Sequence, residues 1–209
     1  PRPPTDAVSL RWPPQAIMSW KAGKKGGQQG SAQLAKLDAE LLSFLRRAEK
    51  MLTDVGGADA VADGDGEQED VAAAQRREIA DNIIAQVAGS ELHCARHVFG
   101  CTVLQSALKA GSDAECAALA AGLFSGANIV ALLTDKYGSH VAEAALSRVG
   151  RPGGGGEEAD GGVVQLLPSV VDRLLEKGGA PLAEGLRDRY GTHVLRALFR
   201  LLSGRPAHP

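Results

Sequence analysis

Aromatic residues are scarce in this chain: two Trp, two Tyr and four Phe among 209 residues. Both tryptophans, Trp12 and Trp20, lie in a stretch rich in Pro, Gly, Gln and Lys. The Trp ladders that line many peptide-binding helical arrays therefore have no counterpart in the patterned part of the chain. Cysteine is sparse as well. Cys94, Cys101 and Cys116 are odd in number and embedded in helical pattern, which excludes a disulfide framework and implies reduced thiols. None stands at metal-ligand spacing to His93 or His97, and no metal or other cofactor is expected. No apolar run approaches the length of a membrane-spanning helix, and the N-terminal stretch has no signal-peptide core. No membrane partner is expected. Nucleophile–base pairs, paired carboxylates and phosphate loops are also missing, and GRPGGGG lacks the Lys-Ser/Thr of a P-loop. The chain does not read as an enzyme.

Net charge is small, −2, which excludes nucleic-acid binding by bulk field alone. Its distribution is uneven: residues 1–36 carry +5, residues 37–92 carry −8 and residues 93–209 carry +1.

What is present is a stretch that occurs three times. It reads DRYGTHVLRALFRLLSG over residues 188–204, DKYGSHVAEAALSRVG from Asp135, and HVFGCTVLQSALKAG from His97. Aligning the aromatic-glycine pairs (Phe99-Gly100, Tyr137-Gly138, Tyr190-Gly191) brings the rest into register. A small polar residue follows at Cys101, Ser139 and Thr192, then Thr102, His140 or His193, and a further polar residue at Gln105, Glu143 and Arg196. The glycines stand 38 and then 53 residues apart, and a period in the high thirties marks an α-solenoid. Each copy reads as a two-faced helix. In the third, Val194, Leu195, Leu198, Leu201 and Leu202 form the apolar stripe, and Arg189, Thr192, His193, Arg196 and Arg200 share the other face. In the second, Val141, Ala145 and Val149 oppose Ser139, His140 and Glu143. Each polar trio can therefore touch one flat ligand.

Residues 1–36 read as a disordered basic tail. Its KAGKKGG cluster is either a solvated segment or a nuclear or nucleolar address. Residues 37–92 read as a helical end cap: one helix from Leu37 with Leu41, Phe44, Leu45, Ala48, Met51 and Leu52 on one face, an acidic Gly-rich linker over 56–70, and a second helix over 71–87 with Ile79, Ile83, Ile84 and Val87 buried. Residues 93–209 hold about two and a half repeats. Helices are expected near 92–95, 97–109, 112–123, 127–134, 136–149, 163–177, 181–188 and 189–202. Ser112 and Glu115 form a capping box, Pro168 falls near a helix start, and Gly178-Gly179 ends a helix. The Gly-rich insertion 150–162 buries nothing and is expected to be disordered. The last unit lacks its third helix, which suggests a piece of a longer chain.

A three-helix unit of this length with an S-H-x-x-E arrangement resembles the Pumilio repeat. That resemblance covers roughly residues 93–204, and LLSFLRRAEKML, a worn first copy, then DKYGSHVAEAAL and DRYGTHVLRALFRLLSG resemble the opening of the nucleolar protein nine family. The resemblance implies a right-handed all-α solenoid whose long helices line one concave face. It also implies a nucleolar protein that binds precursor ribosomal RNA, with single-stranded bases as the ligand, during small-subunit assembly, where proteins of the precursor particle become possible partners. Carried over residue by residue, Cys101 and Gln105 read one base with Thr102 as a poor stacker. Ser139 and Glu143 read the next with His140 stacking, and Thr192, His193 and Arg196 form the third set. Glu143 can accept two hydrogen bonds from guanine, and Gln105 beside Cys101 resembles an adenine-reading pair. Arg196 departs from the usual pattern: it only donates, which suits a phosphate or guanine's acceptor edge. Two plainer readings stand beside these. The repeated glycine can serve only close helix packing, and the solenoid can be a scaffold for a peptide or protein partner.

Overall fold

A computed structural model describes residues 39–57, 66–125, 128–150 and 160–203 of the chain. The expected tail therefore lies outside the described residues, as does residues 151–159 of the insertion. The described part contains α1 (Ala39–Gly57), α2 (Gly66–Val87), α3 (Glu91–Ala95), α4 (Val98–Ala110), α5 (Asp113–Leu123), α6 (Asn128–Leu133), α7 (Gly138–Val149), α8 (Asp160–Arg187) and α9 (Arg189–Leu202). Among the described residues there is no strand.

The two N-terminal helices bury the stripes that their sequences present. Leu45 and Ala48 of α1 are buried, with Leu41, Phe44, Met51 and Leu52 half-buried on the same core. Ile79, Ala80, Ile83, Ile84 and Val87 of α2 are buried too. Fully burying one such side chain contributes about 1.5–3 kcal/mol. Helix α1 packs on α2, and both pack on α4, so the pair covers the open side of the first repeat. A solenoid needs such cover because each repeat buries its faces only against neighbours. The acidic linker is shorter than expected, since α1 continues through Gly57 and α2 begins at Gly66. Residues 66–70 thus belong to α2 rather than to the linker.

The repeats follow as short helix, long helix and third helix. Long helices α4, α7 and α9 pack in sequence, α4 on α7 and α7 on α9, while α5, α6 and α8 back them. Val103, Leu104, Ala107 and Leu108 of α4, Val141, Ala142, Ala145, Leu146 and Val149 of α7, and Val194, Leu195 and Leu198 of α9 all belong to one continuous buried core. Leu202, expected in the α9 stripe, is instead exposed. Ser112 Oγ accepts from the Glu115 N–H at 3.4 Å, one half of the expected capping box. The Ser112 N–H itself donates to Asp81 Oδ1 at 2.7 Å. A residue of the end cap thus ties down the turn of the first repeat.

Helix α8 carries the work of two helices. Its backbone leaves helical geometry at residues 176–179, with φ +51° at Lys177, +70° at Gly178 and +82° at Gly179. The left-handed region is cheap for glycine and costs roughly 1–2 kcal/mol for other residues. The Gly178-Gly179 break therefore falls where expected, separating a long arm from a short one that leads into α9. Pro168 lies deeper in α8 than expected, because the helix begins at Asp160.

Cys94, Cys101 and Cys116 are buried free thiols. Burial pushes the Cys94 thiol up to about 12, and the charge of Glu91 adds to the rise. Between about 9 and about 12 the folded chain keeps this proton while the unfolded chain loses it, so stability falls as pH rises through that window. Denaturant midpoints measured from pH 8 to 11 are expected to drop, and Cys94→Ala is expected to flatten the drop. An unchanged slope in the variant would show that Cys94 does not carry it.

Candidate functional site

The start of each long helix is built the same way. Asp135 Oδ1 accepts from the backbone N–H of Tyr137 at 2.9 Å and of Gly138 at 2.8 Å. Asp188 Oδ1 accepts from Tyr190 N–H at 2.7 Å and Gly191 N–H at 3.1 Å. In the first copy His97 takes this place, its Nδ1 accepting from Phe99 at 3.2 Å and Gly100 at 3.4 Å. The aromatic-glycine pair thus supplies donors that a helix start leaves without intrahelical partners. The side chain three residues before the glycine satisfies them. The motif's first residue is a cap, a role readable from an Asp placed just before a helical pattern.

The glycine itself is a packing residue, the plainer of its two readings. A Cβ on Gly100 would run into the carbonyl oxygen of Cys94, and one on Gly191 into that of Gly185. On Gly138 it would sit 3.1 Å from the Leu132 carbonyl oxygen. In each copy the obstacle is the short-helix carbonyl six residues earlier. The short helix can therefore turn sharply into the long one.

These corners aim the polar trios. Thr102, His140, Glu143, His193 and Arg196 are exposed, and Gln105 and Thr192 are half-buried. His140 and Glu143 lie one turn apart on α7, and His193 and Arg196 lie one turn apart on α9, the helix packed beside it. Cys101 and Ser139 depart from the expected open face, each being only 4% exposed. The Cys101 thiol donates to the Tyr137 carbonyl of the next repeat at 3.3 Å. The Ser139 hydroxyl donates to the Lys136 carbonyl at 3.2 Å, and Thr192 Oγ1 donates to the Asp188 carbonyl at 2.9 Å. Gln105 Nε2 turns back onto Cys101, 3.0 Å from its sulfur and 3.3 Å from its carbonyl oxygen. The freely offered groups are therefore two imidazoles, one carboxylate and one guanidinium, all from the second and third copies.

Two arginines that the trio pattern did not single out hold the copies together. Arg96 Nε lies 3.1 Å from Asp135 Oδ2, so the carboxylate that caps α7 is also held from the first repeat. Arg148 Nη2 lies 2.5 Å from Asp113 Oδ1 and donates to the Gly111 carbonyl at 3.1 Å. A shallow groove of about 350 Å³ runs along α9, lined by Leu186, Thr192, Leu195, Arg196, Phe199, Arg200 and Ser203. Among the described residues no cluster of His, Cys, Asp and Glu could hold a metal.

Residues 89–208 match the NOP9-like PUF repeat domain. The chain belongs to that family. No match was found among curated proteins. Of solved structures, APUM23-GGAGUUGACGG aligns with a TM-score of 0.63 at 22% identity, over 83% of this chain and 28% of that one. The structure of APUM23-deletion-of-insert-region-GGAAUUGACGG aligns at 0.56 and 24% identity, over 77% of this chain and 28% of that one. This NOP9-like chain thus spans 28% of the length of the solved chains it matches. The alignments agree with its layered repeats: the fold is a Pumilio-type α-solenoid with an N-terminal helical cap.

Three substitutions test the corner. Gly191→Ala is expected to cost about 1–3 kcal/mol by overpacking against a fixed carbonyl, whereas Gly138→Ala, whose Cβ meets looser contacts, is expected to cost less. Thermal melts giving equal losses would contradict this account. Asp135→Ala, which removes the two cap hydrogen bonds and the Arg96 ion pair, is expected to cost about 0.5–2 kcal/mol from the lost cap alone. Chemical denaturation showing no loss would mean that water replaces the cap.

Proposed function

We propose that this NOP9-like chain binds single-stranded RNA across α7 and α9, with bases stacked on His140 and His193 and read by Glu143 and Arg196. The observation that carries the reading is the recurrence of an exposed imidazole and an exposed charged group, one turn apart, on two adjacent helices. Single-stranded bases are read by stacking and by hydrogen bonds to their edges, and this spacing supplies both. Thr192 stands beside the third pair. Cys101, Thr102 and Gln105 form a weaker first position, since Thr102 offers no ring and the Gln105 amide is engaged with Cys101. Membership in the NOP9-like family and the likeness to APUM23-GGAGUUGACGG support an RNA ligand. By the same resemblance the RNA is precursor ribosomal RNA, the setting small-subunit assembly and the location the nucleolus.

The sharpest chemistry belongs to Glu143. An ionised carboxylate only accepts hydrogen bonds, which matches guanine's adjacent N1–H and N2–H₂ donors and repels the carbonyl edge of uracil. Glu143→Gln replaces one acceptor with a donor. Preference at that position is expected to move away from guanine by roughly 1–3 kcal/mol. The measurement is fluorescence-anisotropy competition among RNAs that differ at one base, wild type against variant. An identical base ranking for both proteins would remove Glu143 from base reading. Equal affinity for single-stranded RNA and for an unrelated polyanion would remove the proposed function itself.

A further inference from the structure

The residue just before each motif aromatic has no part in the base-reading scheme, yet two of the three copies place a cation there. Lys136 Nζ sits 5.2 Å from the centroid of the Tyr137 ring. The Arg189 guanidinium sits 4.5 Å from that of Tyr190, and its Nη2 donates to the Tyr190 hydroxyl. Both cations are exposed. In α9 helical spacing puts Arg189 on the reading face, with His193 and Arg196 at i+4 and i+7. Lys136 holds the matching motif position in the turn just before α7, one residue ahead of Tyr137.

The chain uses its cations in two ways. Arg96 and Arg148 are committed to Asp135 and Asp113 across repeat boundaries. Lys136 and Arg189 form no ion pair among the described residues. A tyrosine face orients each without neutralising it, because a ring quadrupole attracts a cation but carries no charge of its own. The first copy lacks the device. Val98 occupies the equivalent position, 54% exposed beside Phe99, in the same copy where Thr102 replaces the stacking histidine. Cation and stacker are present together in two copies and absent together in the third.

We propose that Lys136 and Arg189 are phosphate-binding residues, one per repeat, which hold the RNA backbone so that the base of each repeat reaches its histidine. This rests on the RNA-binding reading above and adds where the strand's backbone runs. It also leaves the first copy, where Val98 stands in place of the cation, without a phosphate contact of this kind.

Salt dependence tests it, because each phosphate contact on a single strand contributes about 0.7 to the slope of log K against log salt. Affinity for one single-stranded RNA is measured from about 50 to 200 mM salt for the wild-type chain, Lys136→Ala, Arg189→Ala, Val98→Lys and Lys109→Ala. Each of the first two variants is expected to shed about 0.7 from the slope, so that it loses about 2.6-fold less affinity than wild type over that range. Base ranking should stay unchanged. Val98→Lys, at an exposed position, is expected to steepen the slope by a similar amount. Lys109→Ala, which removes an exposed cation near the opposite end of α4, should change nothing. Unchanged slopes in Lys136→Ala and Arg189→Ala, with RNA binding intact, would overturn the phosphate assignment alone. An equal effect from Lys109→Ala would replace it with a diffuse field. Failure of the wild-type chain to bind single-stranded RNA would overturn the base-reading proposal and this one with it.

Discussion

The architecture depends on one corner: a side-chain acceptor that takes two backbone N–H groups at the start of a long helix, over a glycine pressed onto the carbonyl six residues earlier. Without the acceptor, helix-start donors would lack partners in a partly buried turn, where an unsatisfied polar group is expensive. Without the glycine, the short helix could not come close enough to fix the direction of the long one. The two requirements act on adjacent atoms, which explains why the motif is compact. Everything downstream, from the stacking of α4, α7 and α9 to the direction of His140 and His193, inherits its geometry from these corners.

Charge is divided with the same economy. Arg96 and Arg148 bridge repeat boundaries and draw their carboxylate partners, Asp135 and Asp113, from segments 39 and 35 residues away in sequence. Asp135 serves both ends of this arrangement, capping α7 with one oxygen and receiving Arg96 on the other. Helix α9 contains Arg189, Arg196 and Arg200 with no acidic residue, so the positive face strengthens toward the C-terminal end of the described repeats. A chain with almost no net charge can thus present a local cationic track.

Most of the fold was legible in the residues. The Ile79, Ile83, Ile84 and Val87 stripe, the limits of α9 and the break at Gly178-Gly179 all follow from rules that act within a turn or two of chain. The exposed half of the candidate site was legible for the same reason: His140, Glu143, His193 and Arg196 stand opposite their own helices' apolar stripes. The buried half was not. Cys101 and Ser139 share that polar register, yet the packed layer closes over them, and the Cys101 thiol is spent on a carbonyl of the next repeat.

By itself, then, the sequence determined the repeat, its period, the apolar stripe of each helix and the break points. Those properties are written in local periodicity and in the backbone limits of glycine. Only the tertiary structure decided which polar residues face solvent, which arginines are committed and which stay free, and what the repeated glycine is for. Each of these depends on an atom carried by another element: the Tyr137 carbonyl against Cys101, Asp135 against Arg96, Asp113 against Arg148, Cys94 and Gly185 carbonyls against Gly100 and Gly191. Helical periodicity says which way a side chain leaves its own helix. It carries no information about what the next helix has placed there.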